Sequence, residues 1–127
     1  MATIVREVMH TDLVTVGPST MMIDAAAAMS SARVGSVLVL EEGALVGIFT
    51  ERDILSAFER TRADPARVSP VSKGMTWNPL TIGPDATVGE AMDRMLDGGF
   101  RHLPVMDGGT LVGIVSMRDL ARSISKG

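Results

Sequence analysis

The strongest constraint on this chain is that most of it is written twice. A shift of 66 residues lays positions 9–55 on positions 75–121 without a gap, and 14 of those 47 positions are identical. Thr15/Thr81, Gly17/Gly83, Pro18/Pro84, Met29/Met95, Val39/Val105 and Asp53/Asp119 are among them. The longest shared block is Leu45-Val46-Gly47-Ile48, which returns as Leu111-Val112-Gly113-Ile114. A repeat of this length is one supersecondary unit with too little interior to stand alone. Two copies packed face to face could share a core, so the expectation is one α+β domain with a pseudo-two-fold axis.

Each copy reads as βαββα. Val14-Thr15-Val16 and Leu80-Thr81-Ile82 are short apolar stretches closed by Gly-Pro, which predicts a brief strand and a turn. Thr87-Val88-Gly89-Glu90 is a capping box, followed at helical spacing by Ala91, Met92, Met95 and Leu96. Copy one answers with Ile23, Ala26, Ala27 and Ser30 around an alanine run. Two hairpins follow, 36–40 with 45–49 around Glu-Glu-Gly43 and 103–106 with 111–115 around Asp-Gly-Gly109. A second helix closes each copy, from 51 to about 60 and from 117 to about 123. The stretch 61–73, polar and carrying Pro65 and Pro70, reads as a linker. The expected division is therefore a first unit at 1–60, a linker at 61–73 and a second unit at 74–127.

Composition narrows the chemistry. With three Phe, one Trp and no Tyr, the core must be aliphatic, and ten Met serve as adaptable filler. Without Cys there is no disulfide, thiolate metal site or cysteine nucleophile, which suits a reducing cytoplasm. The N-terminus is charged too early for a secretory signal, and no apolar run approaches the roughly 18 residues needed to cross a bilayer. A net charge of −3 with interspersed signs argues against nucleic-acid binding, which favours a basic face. Two distant His residues and no acidic cluster offer poor material for a nucleophile, a base or a metal site, so no catalytic role is expected.

The residues able to carry chemistry sit where the last strand of each copy enters the last helix, at Thr50-Glu51-Arg52-Asp53 and Ser116-Met117-Arg118-Asp119. A helix N-terminus offers free backbone N–H groups to a phosphate. The hydroxyl and the Arg add donors, and a carboxylate three residues on has two acceptor oxygens suited to the paired hydroxyls of a ribose. Together these point to a nucleotide. The same Ser/Thr-x-x-Asp pattern is also a plain helix cap, and the two roles can coexist.

On these residues the chain resembles a tandem pair of CBS (cystathionine β-synthase) domains, a Bateman module. The resemblance runs from about Ile4 to Ile124. It rests on Val14-Thr-Val-Gly-Pro18, Gly43-Ala-Leu-Val-Gly-Ile-Phe-Thr50-Glu-Arg-Asp53 and their repeats, and is most typical in Gly99-Phe-Arg-His-Leu-Pro-Val105. It implies no required cofactor and no attached enzyme or channel domain. It implies instead an adenosyl effector (AMP, ADP, ATP, S-adenosylmethionine or NADH) bound in clefts between the copies. By this resemblance one site would join Thr50, Arg52 and Asp53 to Leu80, Thr81, Ile82, Arg101, His102 and Pro104. The other would join Ser116, Arg118 and Asp119 to Val14, Thr15, Val16, Ser36 and Val37.

The sites should be unequal. Where copy two has Arg101-His102-Leu103-Pro104, copy one has Gly35-Ser36-Val37-Leu38, so the Asp53 site is expected to prefer the more phosphorylated ligand and the Asp119 site to be weaker or empty. Arg33, near the second cleft by sequence, could partly compensate. His10 reads as an ordinary surface residue. Ile54, Leu55, Phe58 and Leu120 give the closing helices more apolar surface than one small domain need hide, and the resemblance implies a homodimer through such helices. The leading expectation is a stand-alone ligand sensor acting on an unidentified target protein. The alternative is a structural or interaction module with vestigial clefts.

Overall fold

The structure is a computed structural model that describes residues 2–61 and 69–126. Most of the expected linker, 62–68, lies outside the described residues. In copy one a short strand β1 (Thr15–Val16) precedes helix α1 (Met22–Ala32), strands β2 (Ser36–Glu41) and β3 (Ala44–Thr50), and helix α2 (Glu51–Thr61). Strand β4 (Thr76–Trp77) opens copy two, followed by α3 (Val88–Gly98), β5 (His102–Asp107), β6 (Thr110–Ser116) and α4 (Met117–Lys126). The two βαββα units expected from the repeat are thus present, with the first strand of copy two, expected over Leu80–Ile82, reduced to a single bridge at Ile82.

The hairpins close as their sequences require. Glu41 pairs with Ala44, leaving a two-residue turn in which Glu42 and Gly43 have φ of 51° and 82°. Positive φ at both central positions is the type I′ geometry that matches strand twist. Helix α3 begins at the predicted cap, where the Thr87 hydroxyl accepts the Glu90 N–H at 3.1 Å. Helices α1 and α3 both end in a left-handed residue, Arg33 in one and Gly99 in the other.

The chain divides into two compact units, Val14–Pro79 and Met1–Leu13 with Leu80–Gly127. In the first, the strands run in the order β1-β2-β3-β4. β1 is parallel to β2 through Thr15↔Leu38, and β4 is antiparallel to β3 through Gly47↔Trp77 and Ile48↔Thr76. In the second, the β5–β6 hairpin is flanked by two bridges, Ile82↔Val105 parallel and His10↔Ile114 antiparallel. Shifted by 66, these are the equivalents of the β1–β2 and β3–β4 pairings. A further pair of bridges, Ile4↔Thr87 and Met21↔Pro70, obeys the same shift. The repeat therefore extends upstream of residue 9. The compact units differ from the 1–60 and 74–127 sequence copies: the segment leading into each copy packs in the unit built by the other copy.

Each compact unit holds a cluster of buried side chains. Met22, Ala25, Met29, Val37, Val39, Phe49, Ala57, Val71 and Met75 make the first. Val5, Ile82, Val88, Ala91, Met95, Leu103, Val105, Val115 and Leu120 make the second. Corresponding positions trade volume, with Met22 for Val88 and Phe49 for Val115 against Val37 for Leu103, the type of swap close-packed interiors accept when total volume is kept. Val71 and Val5, the counterparts from the exchanged segments, are both fully buried.

The shared Gly in Leu-Val-Gly-Ile has a steric cause. A Cβ on Gly113 would lie 2.7 Å from Met9 Sδ and 2.9 Å from the His10 carbonyl oxygen; on Gly47 it would lie 2.6 Å from Met75 Sδ and 3.0 Å from the Thr76 carbonyl oxygen. The identical Met9/Met75 and Gly47/Gly113 pairs are one contact used twice. Gly113→Ala should destabilise the chain by about 1–3 kcal/mol, because a backbone carbonyl must move as well as a flexible thioether. Gly83→Ala, with open space around it, should fall within about 0.5 kcal/mol of wild type. Urea titration of the two variants checks this; equal midpoints would refute it.

Candidate ligand-binding site

Strand β3 passes into α2 with no intervening loop, and β6 into α4 likewise, so Thr50 and Ser116 end a strand and cap a helix at once. Their geometry is nearly the same. Asp53 Oδ2 accepts the Thr50 N–H at 2.8 Å and its hydroxyl at 3.1 Å, while the Asp53 N–H donates to Thr50 Oγ1 at 3.3 Å. Asp119 Oδ2 accepts the Ser116 N–H and hydroxyl, both at 2.8 Å, and the Asp119 N–H donates to Ser116 Oγ at 3.2 Å. These reciprocal bonds are the capping arrangement weighed from the sequence. They use one oxygen of each carboxylate.

The second oxygen distinguishes the copies. Asp119 Oδ1 lies 2.8 Å from His10 Nε2, and the Asp119 side chain is only 10% exposed. Because a carboxylate accepts, the Nε2 hydrogen lies between them. His10 is therefore exposed, as expected, but is not the ordinary surface residue read from the sequence. Its counterpart is Thr76, and among the described residues no side chain other than Thr50 hydrogen-bonds the Asp53 carboxylate.

The two carboxyls titrate in opposite senses. Burial raises Asp53 above the ordinary carboxylate range, outweighing the Thr50 bonds and the positive charges of Arg52 and Arg60. Burial is also the largest single influence on Asp119, but the Ser116 N–H, His10 and the Ser116 hydroxyl together lower it. A shallow depression beside Asp119 is lined by Val8, Arg122 and Ser123.

The remaining sequence-predicted residues fall into two sets. In the unit Val14–Pro79, Ser36 and Val37 sit opposite Thr50 and Phe49 in the β2–β3 register. Val14, Thr15 and Val16 run alongside, the Val14 carbonyl accepting the Leu38 N–H at 3.0 Å. Arg33 and Arg52 are exposed. In the other unit, His102 sits opposite Ser116 and Pro104 opposite Ile114. The Arg101 carbonyl accepts the Met117 N–H at 2.8 Å, within the Ser116–Asp119 turn. Ile82 uses its N–H on Pro104 and its carbonyl on Met106, and the Thr81 carbonyl accepts from Arg94. Leu80 and Arg118 are exposed. The sequence reading missed His10 and Arg94, whose counterparts are Thr76 and Ala28. Among the described residues no cluster of three His, Cys, Asp or Glu could hold a metal ion, and no helix is long and apolar enough to cross a membrane.

The family model for the CBS domain matches residues 5–60 and again 68–126. The chain belongs to the CBS-domain family. Both copies of its βαββα unit are CBS domains, in tandem. An uncharacterised 17.7 kDa protein of Acidianus ambivalens is 41% identical over 126 residues, spanning 98% of this chain and 74% of that protein. The solved structure of a CBS-domain protein from Agrobacterium tumefaciens is 35% identical, with a TM-score of 0.91 over 98% of this chain and 95% of its own. A CBSX2 structure, solved in complex with AMP, is 26% identical, with a TM-score of 0.81 over 98% of this chain and 97% of its own.

The opposed shifts give opposite pH dependences. A lowered pKa makes Asp119 stabilising above the ordinary carboxylate range, a contribution lost as pH falls through the lowered value. A raised pKa makes ionisation of Asp53 costly as pH rises from the ordinary value through the raised one. From about pH 3 to about pH 7, the stability advantage of wild type should therefore grow over Asp119→Asn and shrink against Asp53→Asn. Denaturant midpoints across that range test both slopes, and slopes of the same sign would refute the assignment.

Proposed function

We propose that this CBS pair is a regulatory module that senses an adenosine-containing ligand of the AMP, ADP or ATP class. Asp53 and Asp119 would accept from the ribose hydroxyls, with Thr50, Ser116, Arg52 and Arg118 as the proposed phosphate contacts. The carrying observation is the recurrence, at both strand-to-helix junctions, of a hydroxyl and a carboxylate in the same geometry with an Arg at the same sequence position. The AMP complex of CBSX2 supports the choice of ligand. The reading assigns the module no reaction. It places the module in the cytoplasm, where adenine nucleotides are plentiful and a cysteine-free chain has no need of oxidation.

A specific observation favours a second reading, that of a structural or interaction module. The cap bonds already satisfy one oxygen of each aspartate without any ligand. Thermal unfolding separates the two. A ligand that binds the native state alone raises the melting temperature by mass action. With AMP, ADP, ATP, S-adenosylmethionine and NADH each at about 100 times its Kd, the sensor should gain about 2.7 kcal/mol from the ligand it recognises. That gain should fall in Asp53→Ala or Asp119→Ala. Flat curves across the panel would leave the aspartates as caps in a scaffold.

Of the four apolar residues expected to mediate pairing, Leu120 is fully buried and Ile54 packs on a core, while Leu55 and Phe58 of α2 stand exposed. We place the homodimer contact on Leu55 and Phe58. Sedimentation should give a dimer for wild type and a monomer for Leu55→Glu combined with Phe58→Glu. An unchanged mass would remove these residues from the contact.

A further inference from the structure

His10 and Asp119 pair across 109 positions of sequence. We propose that His10 is a built-in competitor for the Asp119 carboxylate, and that it sets the order in which the two aspartates accept a ligand diol. The inference rests on the ligand reading above and adds its regulation.

The argument is a count of acceptor positions. A carboxylate offers about four lone-pair positions on its two oxygens. At Asp119, Oδ2 takes the N–H and the hydroxyl of Ser116, and Oδ1 faces the His10 ring. One position is left, and a ribose diol brings two donors. At Asp53, Oδ2 is used in the same way by Thr50, and the counterpart of His10 is Thr76, which brings no imidazole to Oδ1. Both positions there can receive a diol.

His10 is held where it competes. Its N–H donates to the Ile114 carbonyl at 2.8 Å and its carbonyl accepts the Ile114 N–H at 3.0 Å, so its backbone is fixed to the edge of β6. Its side chain is 65% exposed, free to swing out when a ligand takes its place. A contact this exposed is displaceable rather than permanent, and it raises the concentration of ligand needed instead of abolishing binding. Within a duplicated scaffold, it makes one acceptor ready and the other conditional.

The test uses the full chain with AMP as the probe in isothermal titration. Asp53→Ala isolates the Asp119 site, and His10→Thr installs the residue found at the equivalent position of the other copy. AMP should bind Asp53→Ala weakly. Adding His10→Thr should tighten that binding by about tenfold or more, the scale of one charge-assisted hydrogen bond. His10→Gln, which keeps an N–H donor, should stay near the His10 affinity. Circular dichroism checks that each variant is folded, since Asp53→Ala removes a part-buried cap while the changes at His10 are at an exposed side chain. If AMP binds wild type but His10→Thr leaves the Asp53→Ala affinity unchanged, the competition is overturned and the ligand reading stands. If AMP binds none of the variants nor wild type, both fall.

Discussion

The close approach of a distant backbone to a glycine in the third strand of each copy governs much else in this molecule. Gly47 and Gly113 admit a methionine thioether and a carbonyl oxygen into space a Cβ would fill. That contact seats the fourth strand position, Thr76 on β3 and His10 on β6. It also commits the segment leading into each copy to the other compact unit. Strands that pair across such sequence separations form late and slowly relative to hairpins, so the local β2–β3 and β5–β6 pairs are natural scaffolds onto which the leading segments dock. Val5 and Val71 then enter the two cores as fully buried residues supplied from outside each copy.

At the other end of the same strands, one side chain does two kinds of work. The carboxylates of Asp53 and Asp119 stop a strand and start a helix by bonding a backbone N–H and a hydroxyl through a single oxygen. This fixes the position and orientation of the second oxygen without using it. A ligand group meeting that oxygen meets an acceptor already immobilised, so little side-chain freedom remains to be lost on binding. Cap and ligand role are therefore compatible, and the cap supplies the preorganisation a binding site needs.

The sequence made the repeat, the hairpins, the two closing helices and the hydroxyl–carboxylate turns legible, because each depends on residues close together in the chain or repeated in register. Gly43 in its turn and Thr87 at its cap act within a few residues of themselves. His10 and Asp119 are 109 positions apart, and nothing in the local pattern around His10 points to a carboxylate. The repeat held the missing clue. Had positions 4–8 been laid on 70–74, the buried Val5/Val71 pair would have marked the leading segments as core-forming. The identical Met9/Met75 pair was visible, but its meaning depended on seeing Gly47 and Gly113 receive those side chains. Leu120 reads as surplus apolar surface for the same reason: the core it joins includes Val5, with Val8 packed against it, from the far end of the chain.

The duplication keeps the backbone and varies the partners. Where the copies agree, at Gly47/Gly113, Arg52/Arg118 and Asp53/Asp119, the residue is tied to the strand, the cap or the proposed ligand contact. Two of the differences fall on groups that modify an acceptor: His10 against Thr76 beside a carboxylate, and Arg94 against Ala28 at the carbonyl of a first strand. Each substitution in copy two places a donor on an oxygen that copy one presents without that donor. The effect on Asp119 is already electrostatic, since the His10 contact helps bring its carboxyl below the ordinary range while Asp53 lies above it. Two carboxyls with the same cap and opposite shifts have different affinities for a proton. The asymmetry between the copies therefore lies in what surrounds each carboxylate, His10 at Asp119 and no imidazole at the equivalent Thr76.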